Sequence, residues 1–260
     1  MTPPRTAIVT GSTSGIGLAV ARALAAQGYR LVFNGFGDPT AINALVADTT
    51  ARHGVEAIYH PADMSKPTEV RDLVATTEQQ FGGVDVLVNN AGVQHTAPIE
   101  EFPDEKWDAL LAVNLSAAFH AIKAALPGMR ARNYGRVVNI ASVHGLVGSV
   151  HKAAYVAAKH GLVGLTRVAA LETADADITV NAICPGWVRT PLVERQIEDL
   201  ARRSGVGVEE AADRLLGEKQ PKRRFVRPED VAAMVVFLCG DAGTAMTGEV
   251  LTLDGGWTAR

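Results

Sequence analysis

Short runs of β-branched and aliphatic residues alternate with longer stretches whose apolar positions recur at helical spacing along nearly all 260 residues. TAIVT at 6–10 reads as a buried strand, and an Ala- and Leu-rich helix follows over 16–27. LVFN at 31–34, a helix over 40–53, a short strand at 57–60 and a helix over 66–81 continue the alternation. DVLVN at 85–89 is apolar without a polar face, as a strand covered on both sides must be. Helical spacing over 104–132 precedes RVVNI at 136–140. A helix over 153–174 leads to TVNAI at 179–183, and one over 228–238 precedes a last strand at 250–253. Seven strands interleaved with helices predict an open parallel sheet with helices on both faces, joined by right-handed crossovers. No linker or break in composition divides the chain, so one domain over 1–260 is predicted. The exception is 187–220, which is charged and punctuated by glycine (SGVGVEE); a mobile lid or binding loop is predicted there.

Composition removes several classes of function. With 47% apolar and 20% charged residues the chain is ordinary globular protein. A net charge of −3 supplies no field to recruit nucleic acid or an anionic membrane, so neither is expected as a partner. An anionic substrate must then be held by local cations. Cys184 and Cys239 have no metal-ligand spacing; they read as small buried hydrophobes, and neither a disulfide framework nor a metal site is expected. The first residues run into a strand pattern without the apolar core of a signal peptide. No uninterrupted apolar stretch approaches the ~20 residues of a membrane span, so a cytoplasmic location is expected.

The first strand ends in Thr10-Gly11-Ser12-Thr13-Ser14-Gly15-Ile16-Gly17. Three glycines between a strand and a helix let the backbone turn tightly and approach a pyrophosphate, which sits over the helix N-terminus. The spacing differs from the commoner G-x-G-x-x-G, and its position at the first strand–helix junction is what points to a dinucleotide. At the end of the second strand, an acid normally holds the adenosine ribose of NAD and a base the 2′-phosphate of NADP. Here Asn34-Gly35-Phe36-Gly37-Asp38 supplies no Arg or Lys, so NAD is predicted. The NAD-type acid is also missing unless Asp38 reaches. Phe36 either covers the adenosine or is a core aromatic. Asp63, with Met64 beside it, either accepts from the adenine amino group or is a solvated loop acid. Asn90, Ala91 and Gly92 close the fourth strand, where small residues and amides let backbone approach a cofactor.

Tyr155 and Lys159 lie four residues apart on one helix, so phenol and ammonium can face the same way. An adjacent ammonium favours the phenolate and is expected to lower the tyrosine pKa, making Tyr155 a usable acid and base. Ser142, just past the fifth strand, can hold the reacting oxygen. Asn114 is a poor helix former inside a helical stretch: either an exposed polar residue or an amide holding a water that links Lys159 to solvent.

Together TGSTSGIG, NNAG, Asn114, Ser142, Tyr155-x-x-x-Lys159 and Pro185-Gly186 resemble, in order and spacing, the short-chain dehydrogenase/reductase family, over essentially the whole chain. The resemblance implies a doubly wound, Rossmann-type sheet of seven parallel strands and hydride transfer at a nicotinamide. It implies a catalytic tetrad of Asn114, Ser142, Tyr155 and Lys159, with Lys159 also on the nicotinamide ribose. Pro185, Gly186, Val188 and Thr190 would flank the nicotinamide, and a homotetramer is implied, built through the long helices after strands four and five and the last strand.

The substrate end is marked by Gln94, His95, His144, Lys152 and Gln196. Taken singly each reads equally as solvated surface, but a cation (Lys152), an imidazole (His144) and two amides (Gln94, Gln196) converging on one pocket suit a carboxylate. Segments such as GVQHTA, SVHGL, AYVAAKHG, PGWVRTPLVE and DGGW are similar to family members acting on short 3-hydroxy acids. That similarity implies oxidation of such an acid to its 3-keto acid, with Gln94, His144, Lys152 and Gln196 on the carboxylate and Trp187 or Trp257 on the methyl end. Trp257 is placed where it can act across a subunit boundary. Reductases of 3-ketoacyl thioesters and sugar or polyol dehydrogenases share the scaffold, but their substrates lack the free carboxylate. A dinucleotide sensor has no use for a proton relay.

Overall fold

The computed structural model describes residues 4–259, apart from the side chain of Leu192. Seven strands, β1 (Thr6–Val9), β2 (Arg30–Asn34), β3 (Ala57–His60), β4 (Val86–Asn89), β5 (Gly135–Ile140), β6 (Ile178–Pro185) and β7 (Val250–Leu253), form one sheet in the order β3-β2-β1-β4-β5-β6-β7. All pairings are parallel. Successive side chains alternate between two cores. Ala7, Val9, Leu31, Phe33, Val86 and Val88 pack under α1 (Gly15–Ala26) and α9 (Pro228–Cys239). Ile8, Val32, Leu87 and Val137 pack under α3 (Pro67–Phe81), α5 (Ala117–Ala131) and α6 (Ala153–Glu172). Both faces of the central strands are covered, which is why β1, β2 and β4 read as nearly unbroken apolar runs. The strand order reverses at β1, so the chain leaves β1 and β4 in opposite directions and a crevice opens beyond their carboxyl ends.

Two segments depart from the sequence reading. The helix predicted over 104–132 is interrupted: α4 (Asp104–Leu111) passes through a π-helical turn, Ala112–Ser116, into α5. The combined run Asp104–Ala131 is also long and apolar enough to cross a membrane by composition, its apolar residues being interspersed with polar ones. Ala121, Ala125 and Met129 on it are fully buried against the sheet, as in a core helix. The segment after β6 is not a loop but two helices, α7 (Pro191–Ser204) and α8 (Val208–Lys219). Thr190 caps α7 by accepting from the Val193 N–H, Pro191 opens it, and Gly205 ends it in the left-handed conformation at φ +65°. Val193, Ile197, Ala201, Ala211, Ala212 and Leu216 form a small core of their own with Val143, Trp187 and Trp257.

Candidate active site

A cleft of about 470 Å³ runs along the carboxyl ends of the strands. At one end the glycine loop meets β4. Gly11 is left-handed (φ +62°), and a Cβ there would lie 2.9 Å from the Ala91 Cα. A Cβ on Gly17 would overlap the Gly11 carbonyl, so Gly17 sets the helix-to-loop packing and does not itself line the cleft. Thr10 Oγ1 accepts from the N–H groups of Asn90 and Ala91, at 2.9 and 3.0 Å, locking β1 to β4. Ser14 at the start of α1 makes no side-chain cap bond. The first-turn N–H groups of α1 therefore face the cleft available to an anion, a cradle that fits a pyrophosphate.

The second strand explains its missing acid. Gly35 adopts φ +144°, and a Cβ would come 2.7 Å from Thr13 Oγ1, which itself donates to the Phe36 carbonyl at 2.8 Å. No side chain fits there. Asp38 is occupied as the cap of α2 (Pro39–His53), accepting from the Ala41 N–H, and does not line the cleft. Phe36 is 73% exposed at the rim, which rules out a core role. Asp63 lines the cleft but accepts from the backbone N–H and hydroxyl of Ser65, bonds that hold its carboxyl below the usual range. The described lining cations, Lys152, Lys159 and Arg195, belong to α6 and its start and to the lid; none comes from the segments around Thr13, Phe36 and Asp63.

In the middle of the cleft, α6 presents Tyr155 and Lys159 beside Ser142. Lys159 is buried; its ammonium donates to the Ile140 carbonyl at 2.8 Å and lies 5.7 Å from the centre of the Tyr155 ring. The electrostatics differ from expectation. Burial pushes the Tyr155 phenol up to about 12, opposed by a hydrogen bond with Ser142. Burial also pulls Lys159 down to about 8. Desolvation thus sets the direction of both shifts in the protein alone.

The third part of the cleft is polar and aromatic. Trp187 and Trp257 lie against each other at 5.7 Å, His144 stands edge-on to Trp257 at 5.3 Å, and Lys152 Nζ sits 4.8 Å over the Trp187 ring. Trp257 reaches this wall within its own chain. Gln196 on α7 donates to Gln94 across the cleft at 3.5 Å. His144 is held neutral, its pKa pulled down to about 3 by burial and by Lys152. Burial likewise pulls Lys152 down to about 8, with Glu218 opposing. Gln94 Nε2, His144 Nε2 and Trp187 Nε1 are buried nitrogens without a hydrogen-bond partner. An unpartnered buried donor is costly, and several in one pocket mark where a ligand's acceptors belong.

Of the residues singled out from the sequence, most line this one cleft: Gly11, Thr13, Ser14, Gly15, Ile16, Phe36, Asp63, Met64, Asn90, Ala91 and Gly92 toward the glycine loop, Ser142, Tyr155, Lys159, Pro185, Gly186, Val188 and Thr190 in the middle, Gln94, His144, Lys152, Trp187, Gln196 and Trp257 at the far end. Four do not. Gly17 and Asp38 were noted above, and His95 turns to Phe102, ring edge to face at 5.4 Å. Asn114 is buried in the π-helical turn, where its Oδ1 accepts from the Val93 N–H at 3.0 Å and its Nδ2 donates to the Val93 carbonyl at 2.9 Å. These two bonds brace the loop that carries Gln94. Arg195, one turn into α7, also lines the cleft and was not singled out; its signal was the Thr190-Pro191 helix start, which places residue 195 on the first full turn.

A family model described as enoyl-(acyl carrier protein) reductase matches residues 11–258. The chain is 54% identical over 256 residues to a D-beta-hydroxybutyrate dehydrogenase of Cupriavidus necator, covering 98% of each. It is 50% identical to one of Rhizobium meliloti, covering 98% of this chain and 99% of the relative. Among solved structures, an actinorhodin polyketide ketoreductase with NADPH aligns at a TM-score of 0.92 and 40% identity, covering 99% of this chain and 98% of that one. An L-sorbose reductase of Gluconobacter frateurii complexed with NADPH and L-sorbose aligns at 0.94 and 30%, with the same coverage.

Proposed function

The chain belongs to the short-chain dehydrogenase/reductase family, and from that premise we propose that it is an NAD-dependent dehydrogenase oxidising D-3-hydroxybutyrate to acetoacetate. The observation that carries the substrate is the far end of the cleft. A buried ammonium, Lys152, stands with two buried side-chain nitrogens that have no hydrogen-bond partner among the described residues, Gln94 Nε2 and His144 Nε2. A carboxylate supplies negative charge and several lone pairs to such a set at once. Names of the two bacterial relatives point to the same acid.

A nicotinamide held by Pro185, Gly186, Val188 and Thr190 would supply the acceptor for the hydride lost from C3. Ser142 Oγ holds the substrate hydroxyl, and Tyr155 takes its proton during oxidation and returns it during reduction. Because burial holds the phenol near 12, Tyr155 keeps its proton at neutral pH and stands ready to donate. Oxidation is then favoured as pH rises. Lys159 supplies the chain's own positive charge beside the ring. Lys152, Gln94 and His144 fix the carboxylate, while the Trp187–Trp257 wall covers the methyl end and excludes water.

NAD over NADP follows from the rim around Thr13, Gly35 and Phe36, which offers no cation to a 2′-phosphate. The NADPH in the two structural relatives belongs to those proteins. A homotetramer is part of the same reading: β7 is an edge strand, and Phe119 on α5 with Val168 and Leu171 on α6 leave apolar surface exposed. Initial rates with both 3-hydroxybutyrate enantiomers and both cofactors test the proposal. Faster turnover with NADP, or none with either enantiomer, would refute it.

A further inference from the structure

The side chain of Gln220, at the end of α8, is fully buried although glutamine is ordinarily a surface residue. It touches three separate segments. Its Oε1 accepts from the Trp187 N–H at 3.2 Å, at the point where the chain leaves β6 for the lid. Its Nε2 donates to the Arg224 carbonyl, beyond the lid. Its stem packs on Gly255, where a Cβ would come 2.7 Å from Gln220 Cγ; a Cβ on Gly186 would come 2.7 Å from Oε1. The surrounding backbone closes the junction: Lys222 N–H donates to the Gly255 carbonyl at 3.0 Å, and Val226 N–H to the Trp187 carbonyl at 2.9 Å. Gln220 itself does not line the cleft.

The two aromatic residues of the substrate wall hang from the two segments that Gln220 joins. Trp187 follows Gly186 directly, and Trp257 lies two residues past Gly255. We infer that Gln220 is a positioning residue that sets the Trp187–Trp257 wall, and with it the Lys152 ammonium over Trp187, by bonding the lid's exit to its base. An amide is suited to this task because one side chain both accepts and donates. An apolar residue of the same length would fill the space and leave the Trp187 N–H without a partner.

The kinetic half of the test rests on the hydroxy-acid reading, and the optical half does not. In a Trp107→Phe background, the emission of Trp187 and Trp257 reports the wall with no substrate present. Gln220→Met keeps the packing and deletes both bonds. We expect shifted emission, a KM for D-3-hydroxybutyrate raised roughly tenfold, and NADH affinity by fluorescence titration changed less than about twofold, because the bonds lie outside the cofactor cradle. Unchanged emission and KM overturn the inference. So does a parallel fall in NADH affinity and thermal midpoint, which marks a purely structural role. Should Gln220→Met fail to fold, Gln220→Glu decides, since it sets a carboxylate oxygen against the Arg224 carbonyl: shifted emission at intact NADH affinity supports the assignment, and wild-type emission and KM overturn it. If the wild-type protein turns over no hydroxy acid, the substrate reading falls while emission still decides the role of Gln220.

Discussion

Lys152 and Tyr155 are three residues apart, and burial drives their titrations toward different consequences. Lys152 is charged below about pH 8 and loses its charge above it, so carboxylate binding weakens as pH rises past that value. Tyr155 gains capacity as a base over the same range. The KM for 3-hydroxybutyrate should therefore climb above about pH 8 while kcat for oxidation also climbs. Steady-state profiles check the split, and a KM independent of alkaline pH contradicts it. His144, neutral down to about pH 3, should add no acid limb near neutrality. Lys152→Met should raise KM by roughly 10–100-fold, the value of a hydrogen-bonded charge removed from a buried carboxylate, with NADH affinity unchanged. Gly35→Asp is a sharper case. It introduces the acid associated with NAD, yet the side chain collides with Thr13, so calorimetry should show weaker binding of NAD. Tighter NAD binding would contradict the packing described.

The residue types at the site were legible because each carries chemistry that spacing alone can juxtapose: Tyr155 with Lys159 by one helical turn, Ser142 by its place after a strand. Their energetics were not. The lowering of the Tyr155 pKa by Lys159 is a matter of distance against desolvation, and neither quantity is written in the spacing. An aromatic just after a strand fits rim and core alike, and only the turn at Gly35 throws Phe36 outward.

At the scale of elements, the strand positions are legible to within one or two residues, most plainly in β1, β2 and β4, where burial makes the runs almost wholly apolar. The lid was harder. Thr190-Pro191 and Gly205 mark the ends of α7, but its charged face outweighed its narrow apolar stripe in the reading. Asn114 shows the opposite case: a poor helix former inside a helical stretch signals a local departure, here the π-helical turn that turns its amide toward Val93. Asn114→Ala removes two bonds to the Val93 main chain and should lower stability by about 1–3 kcal/mol in urea unfolding, with KM for the acid raised through Gln94. Unaltered stability and kinetics would show that the brace is not needed.

For the whole molecule, the topology does most of the functional placement. Reversal of strand order at β1 opens the crevice, the glycine loop and β4 line one end of it, and α6 with the lid lines the other. Exposed Phe119, Val168 and Leu171 predict association through α5 and α6, and sedimentation should give a tetramer. A monomer at assay concentration would remove that part of the proposal. The central claim is that a free carboxylate is recognised at the far end of the cleft. Its most direct measurement is the initial rate of NAD reduction with D-3-hydroxybutyrate beside its methyl ester, which differs in charge at that one group. Efficient turnover of the acid with kcat/KM for the ester lower by roughly 100-fold or more is the predicted result. Equal efficiency for the two, or preference for the ester, contradicts it.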